Sequence, residues 1–204
     1  MFIEGISFPS ALRKAGVWGR DLAMLQRLVG LDSVYHAGSH GFEIAGPEGA
    51  SLSLEKGVEF LPELDQAERA LRERLSGIAG HAVERKRFSI AVRYRRVAEA
   101  DVGKLSAIVE RMLGKKIVEL RSDIDWNKGR AVLWLLERLG LNRPGIIPLY
   151  AGDDVTDEDA FRALAGRGLC IAVSDGGKRQ TAADHALAQT GDVTRFLDVL
   201  AATC

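Results

Sequence analysis

Apolar positions recur with two different periods in the last third of the 204-residue chain. Short β-rich apolar runs alternate there with helical patterns, over residues 146–151, 157–164, 169–173 and 193–201. Just before them, residues 129–139 place their apolar side chains on one face of a helix. This alternation predicts a parallel sheet whose strands are connected by helices.

The middle of the chain has a different pattern. From residue 85 to residue 95, apolar and polar residues alternate, which is typical of one strand with an exposed face. Helical patterns flank this strand over residues 62–75 and 101–113. We therefore expect a core in two segments with a small inserted α+β domain between them, at residues 1–42, 43–121 and 122–204.

Composition excludes several classes of function. Lysine plus arginine number 28 and balance 28 aspartates plus glutamates, so no global charge favours nucleic acid or an acidic membrane. The start of the chain lacks the pattern of a secretion signal, and no apolar run is long enough to span a membrane. Of the two cysteines, Cys170 lies in an apolar run, as a buried reduced thiol would. A cytosolic protein is expected.

An acidic loop follows the apolar run that ends at residue 152. It contains Asp153, Asp154, Asp157, Glu158 and Asp159. Loops at the carboxyl ends of parallel strands form the ligand crevice of such sheets. Helix capping explains part of this loop, because Thr156 is a good N-cap and negative charge is favoured in a first helical turn.

Capping does not explain the adjacent pair Asp153 and Asp154. Neighbouring like charges are unfavourable unless a cation or strong donors intervene. The spacing does not fit the calcium loop of an EF-hand, whereas magnesium is held by few carboxylates together with phosphate oxygens and water. The loop therefore indicates a magnesium site.

A lysine stands at the start of the predicted helix over residues 129–139. Asn127 is the expected N-cap and Lys128 follows it, where the helix dipole disfavours a cation. A phosphate at this helix start would turn the lysine and the exposed backbone N–H groups into an anion site. The alternative is a solvated surface lysine. Together with the acidic loop, Lys128 indicates metal-assisted phosphoryl chemistry.

Three segments carry a family resemblance: residues 35–44 (YHAGSHGFEI), 126–129 (WNKG) and 152–161 (GDDVTDEDAF). In order and spacing they resemble the successive signatures of trehalose-6-phosphate phosphatases, which belong to the haloacid-dehalogenase superfamily. The resemblance implies an α/β fold with a Rossmann-like core and an inserted α+β cap. It also implies hydrolysis of a small sugar phosphate, trehalose 6-phosphate, in trehalose biosynthesis, with Mg²⁺ as cofactor.

The resemblance assigns roles within the core segments. Asp153 would be the direct magnesium ligand and a catalytic residue, with Asp154 and Asp157 supporting the metal. Lys128 would contact the phosphate. Substrate contacts would come from four further residues, Arg20, Ser39, His40 and Gly41. His40 is equally compatible with a polar turn residue between two glycines.

The inserted domain would be the cap that closes on the sugar. Glu84 and Lys86 resemble the Glu-x-Lys signature that meets glucose hydroxyls, and Glu119 resembles a third cap contact. From the residues alone, Glu84 and Lys86 are neighbours on one strand face, where a surface ion pair is the commoner explanation.

The sequence departs from the family at its first motif. The Asp-x-Asp-Gly-Thr segment, whose first aspartate attacks phosphorus, is absent, and Trp18 replaces the serine of the next motif. The resemblance then implies an incomplete core without its first strand, weaker magnesium binding and no acceptor for covalent transfer. Residues 2–8 or a partner chain would have to fill the gap, so oligomerisation is possible. A non-catalytic sugar-phosphate-binding relative and a phosphatase for another sugar phosphate are the alternatives.

Overall fold

A computed structural model describes residues 15–31, 33–47, 50, 52–113, 119–121, 125–174 and 180–203. The predicted contribution of residues 2–8 lies outside these ranges. In chain order the strands and helices are β1 (Ala15–Val17), α1 (Leu22–Val29), β2 (Tyr35–Gly38), β3 (Glu43–Ala45), β4 (Ser53–Glu55), α2 (Leu61–Leu75), β5 (Ala82–Lys86), β6 (Ser89–Arg93), α3 (Glu99–Leu113), β7 (Glu119–Arg121), α4 (Lys128–Arg138), β8 (Leu149–Gly152), α5 (Glu158–Leu164), β9 (Leu169–Val173), β10 (His185–Leu187) and α6 (Thr190–Thr203).

The chain divides into two compact units. The core unit comprises Met1–Ser53 and Trp126–Cys204, and the inserted unit comprises Leu54–Asp125. The sequence patterns place the first division about ten residues earlier, before β3. Strand β3 belongs to the core unit because it pairs antiparallel with β2.

The strands of the core unit form two sheets. One has the order β1-β2-β3, followed by β4 where the chain passes into the inserted unit, and the other has the order β10-β9-β8. The predicted parallel pairing is confirmed for β8 with β9. Two further parallel pairs, β9 with β10 and β1 with β2, were not predicted from the pattern. Among the described strands, β1 and β8 lie at the edges of their sheets, and a strand between them stays a prediction.

Helices α4 and α5 bury their apolar faces against the strands of the core unit. The cluster contains seven buried residues, Val132, Leu136, Ala160, Phe161, Leu164, Cys170 and Ala172. Val17 of β1 packs against the same cluster, so both sheets border one core. The predicted apolar face of α4 is thus confirmed, and Cys170 is buried as predicted.

In the inserted unit, helices α2 and α3 pack on the antiparallel sheet β5-β6-β7. The prediction of one strand over residues 85–95 is wrong, since Arg87 and Phe88 form a two-residue turn between β5 and β6. Phe88 is nevertheless buried, at 2 % exposure. The alternation of apolar and polar residues therefore continues through the turn, so the sequence pattern does not reveal the turn.

None of the helices in the described part of the chain combines the length and apolar character needed to cross a membrane.

Candidate phosphate and metal site

Lys128 is the buried cation at the start of α4. Only 5 % of it is exposed, and its Nζ donates a hydrogen bond to Asp157 Oδ1 at 2.6 Å. Asn127 caps the helix as predicted, because its side-chain oxygen accepts a bond from the backbone N–H of Arg130 at 3.0 Å. The alternative of a solvated surface lysine is therefore wrong.

Asp157 is the carboxylate that holds Lys128. Its Oδ1 also accepts a bond from the Tyr150 hydroxyl at 2.7 Å, and its Oδ2 accepts one from the backbone N–H of Asp154 at 2.9 Å. The side chain fits there because Gly152 has none: a Cβ at that position would lie 2.4 Å from Asp157 Cγ. Both carboxylate oxygens are thus engaged by donors of the protein.

Tyr150 is a neutral donor in this arrangement. Burial, reinforced by the nearby negative charge of Asp157, raises the pKa of Tyr150 above its usual value. The phenol therefore remains protonated at any physiological pH. Lys128 and Tyr150 approach the same oxygen of Asp157 from α4 and β8, which fixes the position of the carboxylate.

The N-cap of the acidic loop differs from the prediction. Asp154, not Thr156, caps the single 3-10 turn Val155–Asp157 that precedes α5, and Asp157 completes a capping box. An aspartate carboxylate in this position reaches the N–H groups that follow it, so Asp154 takes the cap two residues earlier than expected. Glu158 and Asp159 lie in the first turn of α5, as predicted.

The acidic loop offers two carboxylates to a metal. Asp153 and Asp154 are exposed, whereas Asp157 is 3 % exposed and saturated by protein donors. Among the described residues, no three histidine, cysteine, aspartate or glutamate side chains converge as a metal cluster. Magnesium commonly takes one or two carboxylates and completes its shell with water and phosphate oxygens. The exposed pair fits that donor set.

The loop after β2 holds a strained backbone. Ser39 and His40 have φ angles of 50° and 60°. Residues other than glycine rarely adopt such angles, and where they do, the residue often lies at a functional site. Both residues are buried. Ser39 Oγ donates to Glu43 at 2.9 Å and contacts Asp21 at 3.3 Å. These bonds hold the loop in its unusual conformation.

This loop lies at the start of α4. The indole N–H of Trp126 donates to the carbonyl of Gly41 at 2.7 Å, two residues before Lys128. On the other side, a Cβ on Gly19 would lie 2.6 Å from the His40 ring, so the close approach requires glycine. Arg20 follows β1 with an exposed side chain, and its carbonyl accepts from the N–H of Ser39.

The core unit therefore brings the sequence motifs together around the start of α4. The Ser39–Gly41 loop contacts α4 through Trp126, and the acidic loop contacts it through the pair Asp157 and Lys128. The backbone carbonyl of Arg20 accepts a hydrogen bond from Ser39 of the Ser39–Gly41 loop. These segments are far apart in the sequence and meet at the carboxyl ends of parallel strands.

Glu84 and Lys86 lie in the inserted unit, on β5. Their neighbours Val83 and Arg85 point to the helices, since Val83 is in the core and Arg85 binds Asp65 of α2 at 2.9 Å. Alternate residues of a strand point to opposite faces, so Glu84 and Lys86 occupy the face away from the helices.

Across the sheet, Glu84 pairs with Ala91 of β6, and Ala91 pairs with Glu119 of β7. The backbone register thus places Glu84 and Glu119 in one cross-strand row; the side chain of Glu119 lies outside the described part. Glu84 also accepts a bond from Arg93 at 2.5 Å, and this pair is solvent-exposed. Glu84 thus forms a surface ion pair with Arg93, whereas the alternative of an ion pair between Glu84 and Lys86 stays a prediction.

Sequence reasoning missed three residues that support the site: Tyr150, Glu43 and Trp126. In the sequence, Tyr150 belongs to the apolar pattern of a strand. The role of its hydroxyl becomes visible only in the folded structure, where it donates to Asp157. Glu43 and Trp126 occur within the segments that carry the family resemblance. A buried acid in an apolar strand and an indole directly before an N-cap are the signals that could have identified them.

The comparison with known proteins agrees with these motifs. The sequence model of the family described as trehalose-phosphatase matches residues 16–190. A trehalose-phosphate phosphatase of Mycobacterium marinum is 41 % identical over 195 residues, which cover 90 % of this chain and 50 % of that protein. The chain thus spans about half the length of the curated relatives it matches.

Two solved structures share the fold. A trehalose-6-phosphate phosphatase related protein superposes with a TM-score of 0.73 at 22 % identity, covering 95 % of this chain and 82 % of that one. The C-terminal domain of the Candida albicans trehalose-6-phosphate phosphatase gives a TM-score of 0.70 at 21 % identity, covering 93 % and 78 %. The fold is mixed α/β, as in these proteins. By the extent of the match, the chain belongs to the trehalose-phosphatase family.

Proposed function

We propose that this chain binds trehalose 6-phosphate and provides the cation and metal ligands for removing its phosphate. The observation that supports this most is the buried Lys128, which Asp157 holds at the amino end of α4 beside the acidic loop. The family, and the names of relatives such as the Mycobacterium marinum trehalose-phosphate phosphatase, support the choice of substrate.

Lys128 is suited to bind a phosphate oxygen. Its ammonium group carries three donors, of which Asp157 takes one. The first N–H groups of α4 have no partner within the helix and attract an anion through the helix dipole. A cation that is already fixed needs no reorganisation when charge develops on the departing phosphoryl group.

Magnesium is the proposed cofactor, with Asp153 and Asp154 as its ligands. When bound, the metal neutralises charge on the phosphoryl oxygens. The proposed role of Asp157 changes from metal ligand to positioning residue, because its oxygens already accept from Lys128, Tyr150 and the Asp154 N–H. Asp153 and Lys128 remain the proposed catalytic residues.

We propose substrate contacts in each unit separately. We assign Glu84, Lys86 and Glu119 of the inserted unit to the sugar hydroxyls. In the core unit, the assigned substrate contacts are Arg20, Ser39, His40 and Gly41. None of the residues described here is assigned as the nucleophile, so binding and turnover have to be measured separately.

Calorimetry with trehalose 6-phosphate tests the binding, with and without Mg²⁺. We expect saturable binding that Mg²⁺ strengthens and that Lys128→Met weakens at least tenfold. Lys104→Met is the matched control, because Lys104 is an exposed lysine of α3. Absence of binding by the unaltered chain, or equal binding by Lys128→Met, would contradict the proposal. Release of inorganic phosphate measured in parallel decides whether this chain also turns over substrate.

A further inference from the structure

A pocket lies at the opposite end of β8 from the acidic loop. It has a volume of about 420 Å³ and is formed by the segments before β8 and β9; its lining includes Leu141, Asn142, Arg143, Pro144, Ile146 and Arg167. The four residues of β8 separate it from Asp153 by roughly 13 Å at about 3.3 Å per residue. It is open to solvent and shares no lining residue with the proposed phosphate and metal site.

The pocket carries two positive charges. Arg143 is exposed, and its guanidinium makes no hydrogen bond or ion pair with any residue in the described ranges. The guanidinium of Arg167 donates to the side-chain oxygen of Asn142, which is neutral, and forms no ion pair within the described ranges. None of the described lining residues is acidic. Guanidinium groups stay charged at all relevant pH values, so the pocket attracts anions.

The backbone holds both arginines at fixed points. The N–H of Ile146 donates to the carbonyl of Arg143 and closes a turn through Pro144 and Gly145, whose φ is 86°. The N–H of Arg167 donates to the carbonyl of Leu164 at the end of α5. Both arginines therefore begin at hydrogen-bonded segments of the backbone.

The remaining lining is apolar. Leu141, Pro144, Ile146 and Pro148 supply aliphatic surface to the lining. An inorganic ion would leave this surface in contact with water, whereas an organic anion would cover it. Guanidinium groups bind phosphate through paired N–H donors, which fits a phosphate monoester better than an uncharged sugar.

We propose that this pocket binds a small phosphate monoester, with its phosphate between Arg143 and Arg167 and its carbon part against the apolar lining. The site is separate from the one at Lys128. Because the pocket adjoins the start of β8 and the acidic loop follows its end, a ligand there is placed to influence the acidic loop through that strand.

Titration of the ¹⁵N-labelled chain with glucose 6-phosphate at constant ionic strength tests this proposal. We expect saturable shifts of the amide signals of Gly145, Ile146 and Gly168. Arg143→Gln should weaken this binding at least tenfold without affecting the fold, since the side chain has no described partner. Arg111→Gln removes an exposed arginine of α3 and should leave the affinity unchanged.

Other probes separate this site from the one at Lys128. Lys128→Met should leave the shifts around Ile146 in place, so failure of the proposed function does not decide this inference. Inorganic phosphate should bind at least tenfold more weakly than glucose 6-phosphate, and glucose alone should give no saturable shift. Non-saturable shifts, unchanged affinity in Arg143→Gln, or equal affinity for inorganic phosphate would overturn the proposal.

Discussion

Two ion pairs of nearly equal length lie in the two units of this protein. Lys128 and Asp157 are 2.6 Å apart in the core unit, with side chains that are 6 % and 4 % exposed. Arg93 and Glu84 are 2.5 Å apart in the inserted unit, with side chains that are 69 % and 41 % exposed. The two pairs have nearly the same distance between their charged atoms, and they differ in the burial of their side chains.

The difference matters for stability and for function. Water solvates Arg93 and Glu84 whether or not they are paired, so their attraction is small and each side chain can exchange its partner for a ligand. In the core, Lys128 and Asp157 have lost their water, and each depends on the other. The buried pair therefore suits a fixed phosphate contact, and the exposed pair suits an adaptable surface such as the proposed sugar-binding face.

The largest expected effect comes from Lys128→Met. The change leaves the buried Asp157 without its cation, although Tyr150 and the Asp154 N–H still donate to it. We expect a loss of about 3 kcal/mol in the free energy of unfolding, measured by urea denaturation. Lys104→Met should change it by less than about 0.5 kcal/mol, as is usual for surface substitutions. A loss below about 1 kcal/mol for Lys128→Met would show that the pair is not buried as described.

Tyr150→Phe should have the next largest effect. The substitution keeps the ring and its edge-on contact with Phe161 but removes the hydroxyl that donates to Asp157. Bonds to a charged group contribute about 1.5–3 kcal/mol, and a loss of about 2 kcal/mol is expected in the same denaturation experiment. Tyr94→Phe is the control, because Tyr94 is exposed. Equal stabilities of the two variants would contradict this account of Tyr150.

The pH dependence of stability follows from the raised pKa of Tyr150. Burial and then the charge of Asp157 keep the phenol protonated in the folded chain, whereas the unfolded chain loses the proton near pH 10. This contribution to stability is complete below about pH 10 and is lost as the pH rises further. At pH 11 the loss amounts to about 1.4 kcal/mol.

Comparison with Tyr150→Phe isolates this term. Cys170 also has a raised pKa, caused by burial and then by Asp184, but its contribution is common to both proteins and cancels. Unfolding is measured between pH 8 and pH 11, and the difference in stability between the two proteins should shrink above pH 10. A constant difference over that range would mean that Tyr150 does not titrate as described.

The smallest effect is expected for Arg93→Gln. The pair it disrupts is exposed, so the free energy of unfolding should change less than in the Lys128→Met and Tyr150→Phe variants. The hydrogen bond with Glu84 is the main cause that raises the pKa of Arg93 and so favours its positive charge. Folding does not depend on this exposed pair. Raising the salt concentration should reduce even this small difference. A loss as large as that of Tyr150→Phe would remove the contrast between the two pairs.

The parts of the fold with a clear local period could be predicted from the sequence. Helix α2 and strand β9 occur where the pattern places them, and α4 begins after its predicted cap Asn127. The hairpin between β5 and β6 could not be predicted, because Arg87 and Phe88 are not among the residue types that usually form two-residue turns. Burial of Phe88 also continues the alternation, so the pattern shows no interruption.

The candidate site could be predicted in its residues but not in its contacts. The motifs identify Lys128 and the acidic loop, yet the burial of Lys128 depends on Asp157, which lies 29 residues away in the sequence. Glycine at position 152 gives the carboxylate its room, and that effect appears only when the loop is folded. The same long-range packing changes the proposed role of Asp157 from metal ligand to positioning residue.

A pair of double-mutant cycles tests the contrast most directly. Lys128→Met and Asp157→Asn are combined in one cycle, Arg93→Gln and Glu84→Gln in the other, and the free energy of unfolding is measured for every variant. We expect a coupling energy of at least about 2 kcal/mol for the buried pair and a much smaller one for the exposed pair. Equal coupling energies in the two cycles would contradict the account of Lys128 as a cation fixed by Asp157.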